Sequence, residues 1–462
     1  MSSIRLPHCV HAAAVAVAFG HASLALASST AIAPATAAMT PATAATAAAS
    51  DEPFALRVVS EPGERISLEI AIRDYRPVDG DGPTIALVGV AHIGDAAYYA
   101  QLQEYLDDSD LVLYESVAPT GASGARGDTG RERQATTRNA ARFIGRLAAS
   151  QASATGAWPS DPEALSFWVG GRDARLGHFA TRAAIDAWGR SLVVLPAAGV
   201  DADSGDDMRV VASWGRDGEP GGNGEDADVM VVVGRDQGLG GLGADERGEE
   251  DNLQASLASA LGLAYQLDTV DYDRPHFVPS DMAIDEVNSA MTERGADFSL
   301  VEGTLAGSSL PARVVKMMLN IVGMADRFTG GAASVAMKVM FVEMLGDESV
   351  FDSGMQQLDP AFGEVIIDVR NQRVIDDLAA VLTRGPERLE TIAVFYGAGH
   401  LVDLGERMED QLGYEATGDV QWLPAISIDL KSSPVSERQL RQIRMMVKRS
   451  MRQMQMAQPN DG

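Results

Sequence analysis

Two segments far apart in the chain repeat one pattern, and this repeat limits the fold more than any other feature. Residues 84–92 read TIALVGVAH, and residues 391–400 read TIAVFYGAGH, which is one residue longer. Each is a continuous apolar run of the kind that is buried in a parallel sheet, and each ends in Gly-x-x-His before a helical pattern. The repeat therefore predicts an α/β fold with two related halves, each built from a strand, a Gly-x-x-His turn and a helix.

The other segments predict a mixed or parallel central sheet that is flanked by helices. Residues 54–76 contain two extended runs around the turn sequence EPGE, which predicts a β-hairpin. Residues 118–137 are rich in Gly, Arg and Thr and are expected to form a loop, and residues 138–200 are expected to be mainly helical. Further helices are predicted at residues 252–267, 281–293, 311–345 and 360–384.

Composition divides the chain into four parts, of which one carries an insertion. We expect a signal peptide at 1–27, a disordered Ala/Thr/Pro linker at 28–53, an α/β domain at 54–430 and a basic Met/Arg-rich helix and tail at 431–462. Within the domain, residues 201–252 form an acidic, Gly-rich insertion that we expect to be partly disordered. The basic helix is expected to dock on the acidic body, with contact to a membrane surface as the alternative.

The first residues have the pattern of an export signal. Arg5 supplies a short positive region, residues 9–27 are rich in Ala, Val and Leu, and a small-x-small cleavage site ends at Ala27. The alternative is a disordered leader that is not cleaved. No other stretch reaches the roughly 20 uncharged apolar residues that a spanning helix needs. The sequence thus predicts an exported protein without a transmembrane span, located in the periplasm or outside the cell.

Charge and cysteine content exclude several classes of function. The chain of 462 residues has a formal net charge of −28, so the phosphate backbone of a nucleic acid should repel it. Its single cysteine, Cys9, lies in the leader, which excludes internal disulfides and thiolate metal sites. After removal of the leader, imidazole chemistry depends on only four histidines, which are His92, His178, His276 and His400.

His92 and His400 are the strongest candidate site residues. Each follows a buried-type strand and precedes a helix, which is where open α/β sheets bind their ligands. A single histidine in this position is usually a helix-entry residue that bonds to backbone, but two copies in matching contexts favour a shared role. Two neutral imidazoles that converge from two halves of a sheet suit a divalent metal such as Mn, Co or Zn.

Glu115 is the candidate carboxylate for such a site. It ends the apolar strand at 111–114, which we expect to neighbour the strand that ends at Gly89, so its side chain should emerge at the same edge as His92. A hydrolytic metal centre needs a carboxylate ligand or base and an open position. The alternative is a strand-end glutamate that simply faces water.

Three further residues carry open alternatives. Asp281 is either an additional metal ligand or the N-cap of the helix that follows it, and His276 shares this ambiguity. Arg370 either clamps a carboxylate and orients Glu115 or lies on a solvated helix face. His178 has no acidic neighbour in the sequence and is interpreted as structural.

Taken together, these motifs resemble the TraB/PrgY/GumN family, which includes the Tiki proteins and is related to the erythromycin esterase and ChaN-like group. The resemblance extends from roughly residue 82 to residue 425 and rests on the order of short motifs. These motifs are Gly89-x-x-His92, the strand ending in Glu115, Tyr265-Gln266, the segment 272–282, Arg370-Asn371, the GAGHL sequence at 397–401, and Leu412-Gly413-Tyr414.

The resemblance implies a site that is built from both Gly-x-x-His motifs. Tiki-like members are regarded as metal-dependent proteases, so His92 and His400 would be metal ligands and Glu115 a ligand or general base. Arg370 would line the site, and Asp281 is the further ligand candidate. The expected function is an exported metal-dependent hydrolase, a Tiki-like peptidase acting on a peptide or small-molecule substrate.

Two other functions fit the same residues. One is a binding protein that sequesters a peptide or signal in the cleft without cutting it, because ligands suited to catalysis also suit capture. The other is an erythromycin-esterase-like hydrolase that acts on a small lactone or macrolide, with histidine as general base in a metal-free form. Turnover separates the enzymes from the binding protein, which saturates at one equivalent of ligand.

Overall fold

The computed structural model describes residues 54–197, 208–239, 253–295, 331–346, 363–384 and 389–456. The predicted signal peptide, the linker and the last residues of the C-terminal tail lie outside the described residues. So do residues 201–207 and 240–252 of the predicted insertion, and residues 311–330 of one predicted helix.

The strands of the described residues follow the chain in this order. They are β1 (Leu56–Glu61), β2 (Arg65–Pro77), β3 (Thr84–Val90), β4 (Ile93–Gly94), β5 (Leu111–Tyr114), β6 (Val193–Pro196), β7 (Met208–Ser213), β8 (Val229–Gly234), β9 (Ala264–Tyr265), β10 (Phe277–Pro279), β11 (Thr391–Gly397) and β12 (Tyr414–Asp429).

The same residues form eleven α-helices. They are α1 (Ala96–Asp107), α2 (Gly130–Thr155), α3 (Pro162–Gly170), α4 (Ala174–Ala183), α5 (Leu253–Leu261), α6 (Gln266–Thr269), α7 (Ile284–Glu293), α8 (Ala332–Leu345), α9 (Arg370–Thr383), α10 (Leu401–Leu412) and α11 (Glu437–Met456). A π-helical turn, Val365–Val369, leads directly into α9.

The central sheet is mixed, which confirms the predicted α/β class with helices on a central sheet. Its order is β1-β2-β3-β11-β5-β10, and β12 runs along β2. The pairs β3–β11, β11–β5 and β5–β10 are parallel, whereas β1–β2, β2–β3 and β2–β12 are antiparallel. The antiparallel pairing of β1 with β2 confirms the predicted hairpin. The parallel half holds the two strands of the sequence repeat as direct neighbours, with Thr84 opposite Thr391.

Helices cover both faces of the parallel half and bury its apolar side chains. On one face, α1 packs Tyr98, Tyr99 and Leu102 against the sheet. On the other face, α9 and α10 contribute side chains to a second cluster, including Val374 and Leu404. Coverage on both sides explains why β3 and β11 are apolar at almost every position rather than at alternate positions.

A smaller antiparallel sheet, in the order β6-β7-β8, packs on helix α2. Gly145 of α2 lies close to this sheet, and a Cβ atom there would be 3.2 Å from Cγ1 of Val233. Strands β7 and β8 are two Val-rich runs that lie within the predicted insertion at 201–252. The described residues of the segment 138–200 are mainly helical, as predicted, and β6 is the exception because the β-branched residues Val193 and Val194 pair there with β7.

Helix α2 begins earlier than the sequence analysis expected. The prediction of a loop at 118–137 is wrong from Gly130 onward, because Thr129 and Glu132 form a capping box that starts the helix there. The Thr129 side chain accepts a hydrogen bond from the Glu132 backbone N–H, and the Glu132 carboxylate accepts one from the Thr129 backbone N–H. Local capping therefore outweighs the Gly- and Arg-rich composition of the segment.

The basic helix α11 packs on α8 near the hairpin. Arg444 and Lys448 both pair with Glu343, whose side chain is buried, and the Lys448 Nζ to Glu343 Oε2 distance is 3.5 Å. The two cations thus compensate a carboxylate that α8 would otherwise bury alone. No helix in the described part of the chain has the length and the apolarity that crossing a bilayer requires.

Candidate functional site

Four parallel strands deliver the candidate site residues to one edge of the sheet. In the spatial order β3, β11, β5 and β10, these strands lead into His92, His400, Glu115 and Asp281. Carboxyl ends of parallel strands meet at the same edge, so the four residues come together although they span three hundred positions of sequence. The predicted edge is correct. The prediction that β5 neighbours β3 is wrong, because β11 lies between them.

Gly397, the last residue of β11, forms the floor of the site. A Cβ atom placed there would lie 3.3 Å from Oε2 of Glu115, 3.6 Å from Cδ2 of His400 and 3.7 Å from Nε2 of His92. All three predicted groups therefore border one point in space. Because glycine has no side chain, these three groups can approach the backbone of Gly397 closely.

Glu115 is held by three groups from the second half of the chain. Its Oε2 accepts a hydrogen bond of 2.8 Å from the backbone N–H of Gly397. Its Oε1 accepts one of 2.7 Å from Nη2 of Arg370 and lies 3.2 Å from Nε2 of His400. Only 3% of its side chain is exposed. Glu115 is thus a buried, oriented carboxylate and not a strand-end residue that faces water.

Arg370 joins the two carboxylates of the site. Its side chain is fully buried, and its Nε and Nη2 atoms donate to both oxygens of Asp281 at 2.9 and 2.6 Å. Burial alone would lower the pKa of Arg370, but the negative charges of Asp281 and Glu115 outweigh it and raise the pKa above its usual range. The predicted carboxylate clamp is confirmed, and the solvated helix face is excluded.

Asp281 reaches the site through Arg370. Besides its two bonds to the guanidinium, its Oδ1 accepts a 2.7 Å hydrogen bond from the backbone N–H of Met282. Helix α7 begins only at Ile284 and has Ala283 as its N-cap residue, so Asp281 is not the cap. Its role as a metal ligand stays a prediction, and its contacts are those of a carboxylate that anchors Arg370.

His400 is buried and directly precedes helix α10. Its Nδ1 lies 2.6 Å from Oδ1 of Asn371, and its ring meets that of Tyr396 edge to face at 5.4 Å. Burial raises the pKa of the Tyr396 hydroxyl well above its usual value, and nearby Asp281 adds to this effect. The Tyr396 hydroxyl donates to the backbone oxygen of Ser280, which ties the end of β11 to the end of β10.

His92 is half-buried, and like His400 it contacts a side-chain amide. Its Nδ1 lies 2.7 Å from Oε1 of Gln266, and its backbone oxygen accepts a 2.9 Å hydrogen bond from the Gln266 N–H. Gln266 reaches this position because β4, which follows His92, pairs with β9, which precedes Gln266. The Gln266 Nε2 atom in turn donates to the hydroxyl of Tyr272 at 2.7 Å.

The donor set of this edge fits a divalent metal chemically. Two imidazoles and a carboxylate lie together beside Gly397, and these are ligand types that Mn, Co and Zn take in proteins. Within the described ranges, no group of three or more His, Cys, Asp or Glu side chains is arranged closely enough to form a ligand shell. The predicted metal therefore stays a prediction.

The other two histidines lie away from this edge. His276 precedes β10, at the amino end of the strand, and its Nε2 contacts the backbone oxygen of Leu106. His178 lies on α4, where burial lowers the pKa of its half-buried imidazole, with a smaller contribution from Arg182. Neither of these histidines joins the candidate site.

Sequence reasoning missed the roles of Gln266, Asn371 and Gly397. Both amide residues stood in recognised motifs, but they lie 174 and 29 positions from the histidines that they contact. No spacing rule connects residues at such separations. Gly397 carried a signal, because it occupies the glycine of the second Gly-x-x-His pattern, but the sequence did not reveal that it faces the site.

Comparisons with known proteins add no relative to this description. No protein-family model matches the chain, and no similar chain was found among curated proteins or solved structures. The class that fold and site define is thus an α/β protein with a buried His/Glu/Arg cluster at the carboxyl edge of its parallel strands.

Proposed function

We propose that the protein is an exported metal-dependent hydrolase that cleaves peptide bonds, as the resemblance to Tiki-like proteins implies. One observation carries the proposal, which is that His92, Glu115 and His400 lie together beside Gly397 at the carboxyl edge of the parallel strands. Two imidazoles, one carboxylate and an unfilled position are the components of a catalytic metal site.

The charge of the cluster supports a cation at this point. Arg370 brings one positive charge, whereas Glu115 and Asp281 bring two negative ones, and all three side chains are almost fully buried. A buried cluster with excess negative charge gains stability from a further positive charge nearby. A bound divalent ion supplies that charge.

Each side chain has a defined task in this mechanism. His92 and His400 would hold the ion through Nε2, and when bound the ion polarises the scissile carbonyl and lowers the pKa of a water. Arg370 stabilises the charged form of Glu115, which accepts the proton of the attacking water and passes it to the leaving amine. Asp281 keeps Arg370 in place, and the Gly397 N–H fixes the direction of the carboxylate.

The test is the metal content of the purified protein, compared with that of a His92→Ala/His400→Ala double variant and a matched His178→Ala control. We expect stoichiometric Mn, Co or Zn in the wild-type protein and the control, and none in the double variant. Cleavage of a peptide library over many turnovers should follow the metal. Metal retained by the double variant, or no metal in wild type after reconstitution, would contradict the assignment.

A second candidate is a metal-free hydrolase of the erythromycin esterase kind. The observation in its favour is the 3.2 Å separation of His400 Nε2 and Glu115 Oε1, which suits an imidazole–carboxylate pair that shares a proton. Hydrolysis of a lactone or ester that persists after chelation and is lost in His400→Ala would favour this candidate over the metallopeptidase.

A further inference from the structure

Both candidate histidines use the same ring nitrogen to contact a side-chain amide. Nδ1 of His92 lies 2.7 Å from Oε1 of Gln266, and Nδ1 of His400 lies 2.6 Å from Oδ1 of Asn371. An amide oxygen can only accept a hydrogen bond, so the nitrogen opposite it must carry a hydrogen. In a neutral imidazole this leaves Nε2 without one.

The orientation of the Asn371 amide follows from its other contacts. Its Nδ2 donates to Oδ2 of Asp403 at 2.7 Å and to the backbone oxygen of His400 at 3.2 Å. Both partners are acceptors, which leaves only Oδ1 to face the imidazole. Asp403 is itself held by Nε of Arg407 at 2.6 Å. A chain of oriented groups thus runs from the surface of α10 to His400 Nδ1.

Gln266 is held from the opposite side of the site. Its backbone N–H is bonded to His92, and its Nε2 donates to the hydroxyl of Tyr272. Burial raises the pKa of Tyr272 far above its usual value, whereas the bond to Gln266 has a smaller opposite effect. The hydroxyl therefore stays neutral. Two unrelated parts of the chain produce the same contact on two histidines.

We propose that Gln266 and Asn371 are positioning residues that fix the hydrogen on Nδ1 of His92 and His400, so that both histidines react only through Nε2. This inference rests on the proposed function and deepens it, because it names the atoms that meet a metal or a proton. Outer-shell partners of this type orient imidazole ligands and set their tautomer in known metal sites.

The Nε2 atoms of both histidines lie on the other side of the ring from these amide contacts. Nε2 of His92 lies 3.7 Å from the position that a Cβ atom on Gly397 would take. Nε2 of His400 lies 3.2 Å from Oε1 of Glu115, and a nitrogen without a hydrogen can face this acceptor only with a proton or a cation between them. The two Nε2 atoms therefore face Gly397 and Glu115, whereas the two Nδ1 atoms contact Gln266 and Asn371. On each ring, Nε2 is thus the atom that meets a metal or a proton, and Nδ1 is the atom that holds the ring in place.

The test is the ¹⁵N spectrum of the full-length, histidine-labelled protein after chelation, recorded above the usual histidine pKa of about 6.5. The chain has seven histidines, so His92→Gln and His400→Gln variants assign the two rings. We expect protonated Nδ1 in both rings of the wild-type protein. An unprotonated Nδ1 in either ring overturns the proposal without any need for a folded variant.

Three variants then show whether the amides of Gln266 and Asn371 determine the tautomers of the two histidines. Gln266→Leu should convert only His92, and Asn371→Leu only His400, from a single tautomer into a mixture, so each ring is the control for the other. Gln266→Glu keeps an acceptor for Nδ1 and should preserve the tautomer of His92. Unchanged tautomers in both leucine variants overturn the proposal, because a merely structural role would leave the spectrum as it is.

These results are independent of the proposed hydrolase. If the tautomers respond as expected but the protein neither binds metal nor turns over substrate, the proposed function fails and the positioning role stands. If metal is bound, the leucine variants should lose affinity by about 10–100-fold, the range known for outer-shell substitutions. Metal binding with an unfixed tautomer would support the hydrolase and reject the positioning role.

Discussion

The two strand–Gly-x-x-His units lie side by side in the sheet, yet their glycines serve different purposes. A Cβ atom on Gly89 would lie 2.7 Å from Cγ2 of Ile70 and 3.0 Å from Cδ2 of Leu401, inside the core. The corresponding atom on Gly397 would meet the site residues instead. One glycine allows close packing in the core, and the other allows the site residues to approach the backbone. A repeated motif therefore does not imply a repeated role.

The histidines of the two units also differ in their burial and contacts. His400 is 6% exposed and contacts Glu115, Asn371 and Tyr396. His92 is half-buried, and a short strand separates it from its helix. The second unit is thus embedded in the charged cluster, whereas the first borders it. We therefore expect substitutions in the second unit to lower the free energy of unfolding more than equivalent substitutions in the first unit.

The largest effect should come from breaking the charged cluster beside the second unit. Arg370→Met leaves Asp281 and Glu115 buried without their shared cation, so we expect a loss of about 3–5 kcal/mol in the free energy of unfolding. Urea unfolding followed by circular dichroism measures it. Arg274→Met, at an exposed ion pair with Asp107, is the control and should cost less than about 1 kcal/mol. Similar losses in both variants would refute a central role of the cluster.

A pair of alanine substitutions should separate the two glycines. Gly89→Ala overpacks the core and should lower the free energy of unfolding by about 1–3 kcal/mol. Gly397 has a φ of −49°, which alanine adopts without strain, so Gly397→Ala should keep most of the stability and lose metal binding and turnover. Thermal unfolding and metal content are the two measurements. Loss of stability in Gly397→Ala with metal binding intact would reverse the assigned roles.

The smallest effect should distinguish the two histidines. His400→Ala removes a buried partner of Asn371 and Glu115, whereas His92→Ala removes a half-buried one. Because unmade buried hydrogen bonds are the more costly, we expect His400→Ala to be less stable than His92→Ala by about 1 kcal/mol. Unfolding midpoints in urea provide the comparison. Equal stabilities would show that the two units are energetically alike.

Much of the parallel half could be predicted from sequence because its signals are local. Continuous apolar runs mark β3 and β11, and Glu115 follows a third run, so its place at the carboxyl edge follows from strand direction. Strand order could not be predicted, because nothing local indicates that β11 inserts between β3 and β5.

The charged cluster and the amide contacts depended on three-dimensional structure. Arg370 meets Asp281 across 89 positions and Glu115 across 255, and only the packing of α9 on the sheet brings them together. The start of α2 is a different kind of miss, since the Thr129-x-x-Glu132 capping box was present in the sequence. The Gly- and Arg-rich composition of the segment obscures this short capping signal.

The central position of β11 also determines when the site can exist. Strands β3 and β5 are made early, but the strand that joins them is about 280 residues further along the chain and brings Gly397 and His400 with it. A growing chain that has not reached β11 therefore lacks the strand that lies between those of His92 and Glu115. The cluster of His92, Glu115 and His400 can form only after β11 and the residues that follow it have been synthesised.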